Sequence, residues 1–311
     1  VTRIVISGAS GDLGRRVTQQ LLEADPGREL TLVTRTPSSI SVDGPGVSVR
    51  PGDFEKPELF DDAYRGGDVL LLISGLNLGR RTIEHRTAID AAERAGIRHI
   101  VYTSVGGVQP GNPALSAIDH YETERDLRTS RLAYTILRNS LYAEIVGAIW
   151  LAPAAREGAL EMATGQGSLA PVSKVDVARA ATAVLEDPTE HAGAVYEITG
   201  PELLSMSDIV RLGAEAFETP IEYRPVSEEQ RLAYFDSVGL PRTYDPSMPP
   251  NEEGHLWASD ELVSADLAVA GGYQSILSGH VEQITGRAPA SLRSVLDTVK
   301  DVRYDRIGSM V

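Results

Sequence analysis

The sequence predicts an α/β protein built on a Rossmann-type, doubly wound parallel sheet, followed by a smaller C-terminal α+β part. Three observations lead there. Short, continuous apolar runs alternate with helical segments through the first 140 residues. A glycine-rich turn, GASGDLG at residues 8–14, follows the first of these runs directly. Beyond about residue 150 the alternation loosens, which divides the chain into an expected dinucleotide-binding domain (1–150) and a mainly substrate-binding part (151–311), some of whose segments return to the first sheet.

The candidate strands are residues 4–7, 30–34, 47–50, 69–74, 99–103 and 134–137. Most are unbroken apolar runs and not alternating ones, as expected where helices cover both faces of a sheet. Residues 13–24, 80–95 and 119–129 read as the intervening helices, and β-α-β units with short connections imply parallel strands and right-handed crossovers. In the second part, residues 172–185, 207–217 and 227–238 read as helical, and 194–199 and 221–224 as extended. Residues 240–254 hold four prolines and are expected to be irregular, a length often used for a binding loop.

Composition narrows the chemistry. The chain has 311 residues, 42% hydrophobic and 23% charged, an ordinary composition for a soluble globular protein. Without cysteine it can have no disulfide, thiolate metal site or cysteine nucleophile. The six histidines show no ligand pairing at helical spacing, so no metal is expected. No run approaches the ~20 apolar residues of a membrane span, and the opening VTRIVISG reads as a core strand and not a signal peptide, so a cytoplasmic protein is expected. A net charge of −15 makes nucleic acid a poor partner. That charge is uneven: residues 1–150 carry 17 basic and 19 acidic side chains, residues 151–311 carry 12 and 25. An anionic ligand meets less repulsion at the first half. The helix faces admit a homodimer without marking its interface.

The glycine loop is the strongest local motif. Gly8, Gly11 and Gly14 allow a tight turn and close backbone approach to a pyrophosphate, while the helix starting near Leu13 offers free N–H donors and a partial positive charge. An NAD-preferring enzyme normally carries an acid at the end of the second strand; here the sequence reads Leu32-Val33-Thr34-Arg35, and Arg35 suits a 2′-phosphate. NADPH is therefore the expected cofactor. Asp53 and Phe54, after the third strand, and Ser74 and Gly75, after the fourth, fit the same crevice.

These residues, with YTS at 102–104, HYETE at 120–124, YTILRN at 134–139, VYEITG at 195–200 and SVGLP at 237–241, resemble the NmrA-like atypical short-chain dehydrogenase/reductases. Within them the likeness is greatest to the NADPH-dependent quinone reductase and triphenylmethane reductase branch. The resemblance implies that Gly8, Ser10, Gly11, Asp12, Leu13 and Gly14 hold the pyrophosphate and Arg35 the 2′-phosphate. Asp53 and Phe54 would lie on the adenine side, with Ser74, Gly75, Thr103 and Ser104 on the nicotinamide side. Asn139 and Tyr142 would line the substrate pocket.

Typical members of the wider superfamily use Tyr-x-x-x-Lys, in which the lysine lowers the tyrosine pKa. Here His120 takes the lysine position and Ser116 the tyrosine position. The chain has only three lysines, Lys56, Lys174 and Lys300, and none stands at the usual place. An unactivated ketone needs strong acid help, whereas a quinone yields a weakly basic anion. The expected activity is hydride transfer from NADPH to a small quinone-like or similarly activated aromatic acceptor, with His120 and Tyr121 as candidate catalytic residues. The rival readings are an NADP(H)-binding redox sensor without turnover and a ketoreductase or isomerase of a biosynthetic pathway.

Overall fold

Apolar runs that bury both faces need a helix layer on each side of the sheet, and the chain builds both. A computed structural model describes residues 2–75, 77, 79–243 and 258–299. In chain order the first unit comprises β1 (Ile4–Ser7), α1 (Asp12–Ala24), β2 (Leu30–Thr34), β3 (Val47–Pro51), α2 (Leu59–Tyr64), β4 (Val69–Leu72), α3 (Arg81–Ala95), β5 (His99–Val105), α4 (Leu115–Thr129) and β6 (Ala133–Asn139). The strands form one sheet in the order β3-β2-β1-β4-β5-β6, extended by β9 (Val195–Ile198) beside β6, and every pair is parallel.

Strand residues alternate between two cores. Ile4, Ile6, Leu32, Leu71, Val101 and Leu137 pack with Val17 and Leu21 of α1 and with Val177, Ala181 and Val184 of α7 (Lys174–Glu186). Val5, Val33, Leu70, Ile100, Tyr102 and Ile136 pack on the other face with Phe60, Tyr64, Ala88, Ala92 and Leu127 from α2, α3 and α4. Segments from beyond residue 150 thus return to the first unit: β9 continues its sheet and α7 lies against α1.

After β6 the chain runs through α5 (Ala143–Ile145), a π-helical stretch (Val146–Leu151) and α6 (Ala152–Glu157). β7 (Ala159–Met162) pairs in parallel with β11 (Glu222–Pro225), and β8 (Ser168–Leu169) antiparallel with β10 (Leu204–Ser205). Helices α8 (Met206–Ala216), α9 (Glu228–Ser237), α10 (Ser259–Ala270), α11 (His280–Thr285) and α12 (Leu292–Val299) complete the described chain. A third core, including Leu151, Met162, Leu169, Ile209, Leu292 and Leu296, holds this part together. Ser205 and Asp208 form a reciprocal capping box at α8, and Ser227 and Gln230 another at α9, which fixes where those helices begin. Of the expected irregular segment 240–254, residues 244–254 lie outside the described residues, as do Lys300 and the C-terminus. Among the described residues no helix is long and apolar enough to cross a membrane.

Candidate active site

In this strand order the direction of winding reverses between β1 and β4, so the loops leaving their carboxyl ends open a crevice there. Gly8 leaves β1 with φ +85°, and a Cβ built on it would meet Ile73 of the β4 exit at 3.3 Å. Gly14 is more constrained: a Cβ would lie 2.4 Å from the Gly8 carbonyl oxygen and 2.7 Å from the Ala9 Cα. The first turn of α1 therefore sits directly against the loop. No side chain caps that turn, so its N–H groups remain available to an anion. The Thr34 hydroxyl donates to Ser10 Oγ at 2.7 Å and ties the loop to the end of β2.

The loop after β2 is marked by charge. Arg35, just past β2, and Arg15, in the first turn of α1, are both exposed, and neither has an acidic partner among the described residues. Arg15 lines a cleft with Ser39, Ser41 and Thr18. Sequence reasoning missed Arg15; its place immediately after the glycine motif was the available signal. Two unpaired guanidinium groups beside a bare helix N-terminus fit a dinucleotide bearing a third phosphate.

On the other side of the crevice, Phe54 packs against Phe60 and the edge of His85. It also lies 3.7 Å from where a Gly75 Cβ would stand. Asp53 accepts from the Glu55 amide and closes its own turn. The Ser74 amide donates to Thr103 Oγ1 at 2.9 Å, joining the ends of β4 and β5. Ser104 points to the opposite face, where its hydroxyl donates to Glu124 at 2.8 Å; that fully buried carboxylate also receives Arg128 and Arg138.

His120 belongs to a buried hydrogen-bonded chain in which one fixed donor sets the tautomer of His85. The Gly75 amide can only donate, so His85 accepts at Nε2 (3.1 Å) and carries its proton on Nδ1. That Nδ1–H faces Thr123 Oγ1 (3.0 Å) and the Tyr102 hydroxyl (3.3 Å). The Tyr102 hydroxyl is in turn hydrogen-bonded to His120 Nδ1 at 2.6 Å. Burial holds both rings neutral: it lowers His85 to about 3 and pushes His120 well below the usual imidazole value, with Arg81 adding to both effects. Tyr121 is exposed and lies outside this network.

At the end of β6, Asn139 is buried and donates from Nδ2 to the Tyr142 hydroxyl at 3.5 Å, while its Oδ1 has no partner. Burial raises the Tyr142 phenol to about 12. Beside Tyr142 stands a residue that sequence reasoning set aside. Lys174, the first residue of α7, is 3% exposed, and its Nζ lies 3.2 Å from Asp12 Oδ2 in the glycine loop. Arg16 pairs with the other Asp12 oxygen at 2.9 Å, so the acid in the glycine loop is neutralised from both sides. No local motif announces Lys174, because its partner is 162 positions away in the sequence.

A family model for NAD(P)H-binding proteins matches residues 8–188, more than half of the chain. The chain belongs to this NAD(P)H-binding family. Quinone oxidoreductase 2 of Escherichia coli is 34% identical to it over 240 residues, covering 76% of this chain and 82% of the relative. The crystal structure of the E. coli NADPH-dependent quinone oxidoreductase complexed with NADPH superposes with a TM-score of 0.84 at 29% identity, covering 95% of this chain and 99% of the other. The Citrobacter sp. triphenylmethane reductase complexed with NADP(H) gives 0.80 at 27% identity, covering 96% and 99%. This family member is an NAD(P)H-dependent oxidoreductase, and its glycine loop, bare helix end and free arginines suit NADPH. Among the described residues no group of three or more acidic or histidine side chains could hold a metal ion.

Proposed function

We propose that this oxidoreductase reduces a quinone or a similarly activated conjugated acceptor. The carrying observation is the state of the relay position: His120 is buried, neutral and hydrogen-bonded at Nδ1 to Tyr102. It cannot act as the strong acid that an alkoxide product demands. A hydroquinone anion is far less basic and makes no such demand. The names of the relatives, a quinone oxidoreductase and a triphenylmethane reductase, support an easily reduced conjugated substrate.

When bound, NADPH supplies the hydride. The residues of the chain position both reactants: Gly8–Gly14 and the α1 N-terminus take the pyrophosphate, and Arg35 with Arg15 takes the 2′-phosphate. Asp53 and Phe54 lie on the adenine side, and Ser74, Gly75 and Thr103 border the nicotinamide side, whereas Ser104 is turned away to Glu124. His120 acts as a neutral hydrogen-bonding group held by Tyr102, and Asn139 and Tyr142 receive the acceptor. Holding donor and acceptor face to face supplies most of the acceleration for an acceptor this reactive. Stopped-flow oxidation of protein-bound NADPH by 1,4-naphthoquinone tests the proposal. The expected result is oxidation well above the uncatalysed rate, with acetophenone inert; oxidation no faster than in buffer refutes it.

A further inference from the structure

Three neighbouring polar side chains at and beyond the end of β6 have more hydrogen-bonding capacity than the protein uses. The Lys174 ammonium carries three N–H groups, of which Asp12 takes one, and its Nζ stands 5.5 Å from the centre of the Tyr142 ring. The Tyr142 hydroxyl receives Asn139 Nδ2 but donates to no acceptor among the described residues. Asn139 Oδ1 is buried and unpartnered. An unsatisfied buried polar group costs about 1–3 kcal/mol, so the unpartnered Asn139 Oδ1, beside two side chains with donors to spare, points to a ligand that completes the cluster. Unused donors outnumber unused acceptors, which selects an oxygen acceptor that gains negative charge.

We propose that the Lys174 ammonium, held in place by Asp12, receives the oxygen of a conjugated carbonyl acceptor such as a quinone and gives it the proton that completes its reduction. The proposal rests on the reductase reading above. A quinone that gains a hydride becomes a hydroquinone monoanion. An O–H bond forms at its charged oxygen as one N–H bond of Lys174 breaks, and the neutral amine regains a proton from water. One solvent proton is thus consumed per acceptor. The charged and titratable groups facing Lys174 are Asp12 and Arg16 from the loop and α1, and Tyr142 and Glu144 from the segment after β6. Glu144 also accepts the Lys174 backbone amide, which fixes the start of α7. Burial lowers the ammonium pKa, and Asp12 and Glu144 only partly restore it. That direction eases proton release to a phenolate.

The test uses p-nitrophenol, whose phenolate absorbs visible light, titrated into the NADP⁺-saturated protein. The native protein is expected to bind the phenolate and to ionise the probe at lower pH than in buffer. Lys174→Met is expected to lose at least tenfold in phenolate affinity, about 1.4 kcal/mol, with both proteins held at saturating NADP⁺ so that a change in cofactor affinity does not enter. Lys174→Arg should keep phenolate affinity yet oxidise NADPH with 1,4-naphthoquinone at least tenfold more slowly, because a guanidinium does not release its proton. Equal phenolate affinity in the native and Lys174→Met proteins overturns the proposal. Loss confined to NADP⁺ affinity also overturns it, by making Lys174 a pyrophosphate ligand. With three lysines in the chain, a ¹⁵N-lysine NMR spectrum gives a readout independent of turnover. The resonance missing in Lys174→Arg should shift on adding p-nitrophenol to the native protein, and no shift counts against the site. A native protein that binds phenolate but cannot reduce naphthoquinone overturns the reductase reading instead.

Discussion

Replacing Arg35 with alanine should separate NADPH from NADH. Arg35 follows Thr34 at the end of β2, and Thr34 is itself tied to Ser10 of the glycine loop. The cofactor ribose must therefore lie near the arginine if the loop takes the pyrophosphate. Neither Arg35 nor Arg15 spends its charge on a carboxylate among the described residues. A charge-assisted hydrogen bond contributes about 1.5–3 kcal/mol, and exposure to salt favours the lower end. Arg35→Ala should therefore weaken NADPH roughly tenfold, and Arg15→Ala with Arg35→Ala roughly a hundredfold, at about 1.4 kcal/mol per decade. NADH lacks the 2′-phosphate and should change less than about twofold. Fluorescence titration of both nucleotides at two salt concentrations measures this. The NADPH affinity of the native protein should fall more steeply with salt than its NADH affinity. Equal losses for the two nucleotides, or none, would refute the assignment.

Other expectations follow from packing and ionisation. Gly14→Ala places a methyl against the Gly8 oxygen and Ala9 Cα; overpacking of this kind costs about 1–3 kcal/mol, so calorimetry should show a lower Tm and titration a loss of NADPH affinity. His85 is held at about 3 against 6.5 unfolded, so the unfolded chain binds the extra proton and stability is lost as pH falls below about 6.5. The full effect reaches up to about 5 kcal/mol; His85→Gln should flatten the decline of the urea midpoint between pH 6.5 and 4, and an unchanged slope refutes the reading. Asp266 works in the opposite sense. Burial raises its carboxyl from 3.8 to about 6 despite Arg231 and the Ala163 amide. Its contribution is present below about pH 4 and declines by roughly 3 kcal/mol as pH rises to 6. The difference in stability between the native protein and Asp266→Asn should follow that curve, and a pH-independent difference would count against it.

The first unit was legible because its strands are covered on both faces. Burial on both sides removes alternation and leaves unbroken apolar runs, so residues 4–7 and 30–34 were read with the bounds that β1 and β2 have. The ends of β5 and β6 were read short, since Ser104, Arg138 and Asn139 are polar yet still paired in the sheet. The expected strand 69–74 ends at Leu72, where the chain turns into the crevice. Strands of two residues, such as β8 and β10, are too brief to show any period. The helical run from Ala143 to Glu157 went unread, since its π-helical middle departs from the usual 3.6-residue repeat.

The sequence by itself determined the alternating α/β architecture, the glycine-rich turn after the first strand and the arginine after the second. Each depends on residues close together in the chain, where backbone geometry and side-chain type suffice. It also showed that the usual tyrosine–lysine pair is missing. Only the tertiary structure decided what stands in the crevice instead. Packing of α7 on α1 carries Lys174 to Asp12, and stacking of α3 and α4 on β5 joins His85, Tyr102 and His120 into one neutral chain. Those contacts arise from burial of helix faces shared by distant segments, and burial also sets the protonation states, so neither could be read from local spacing.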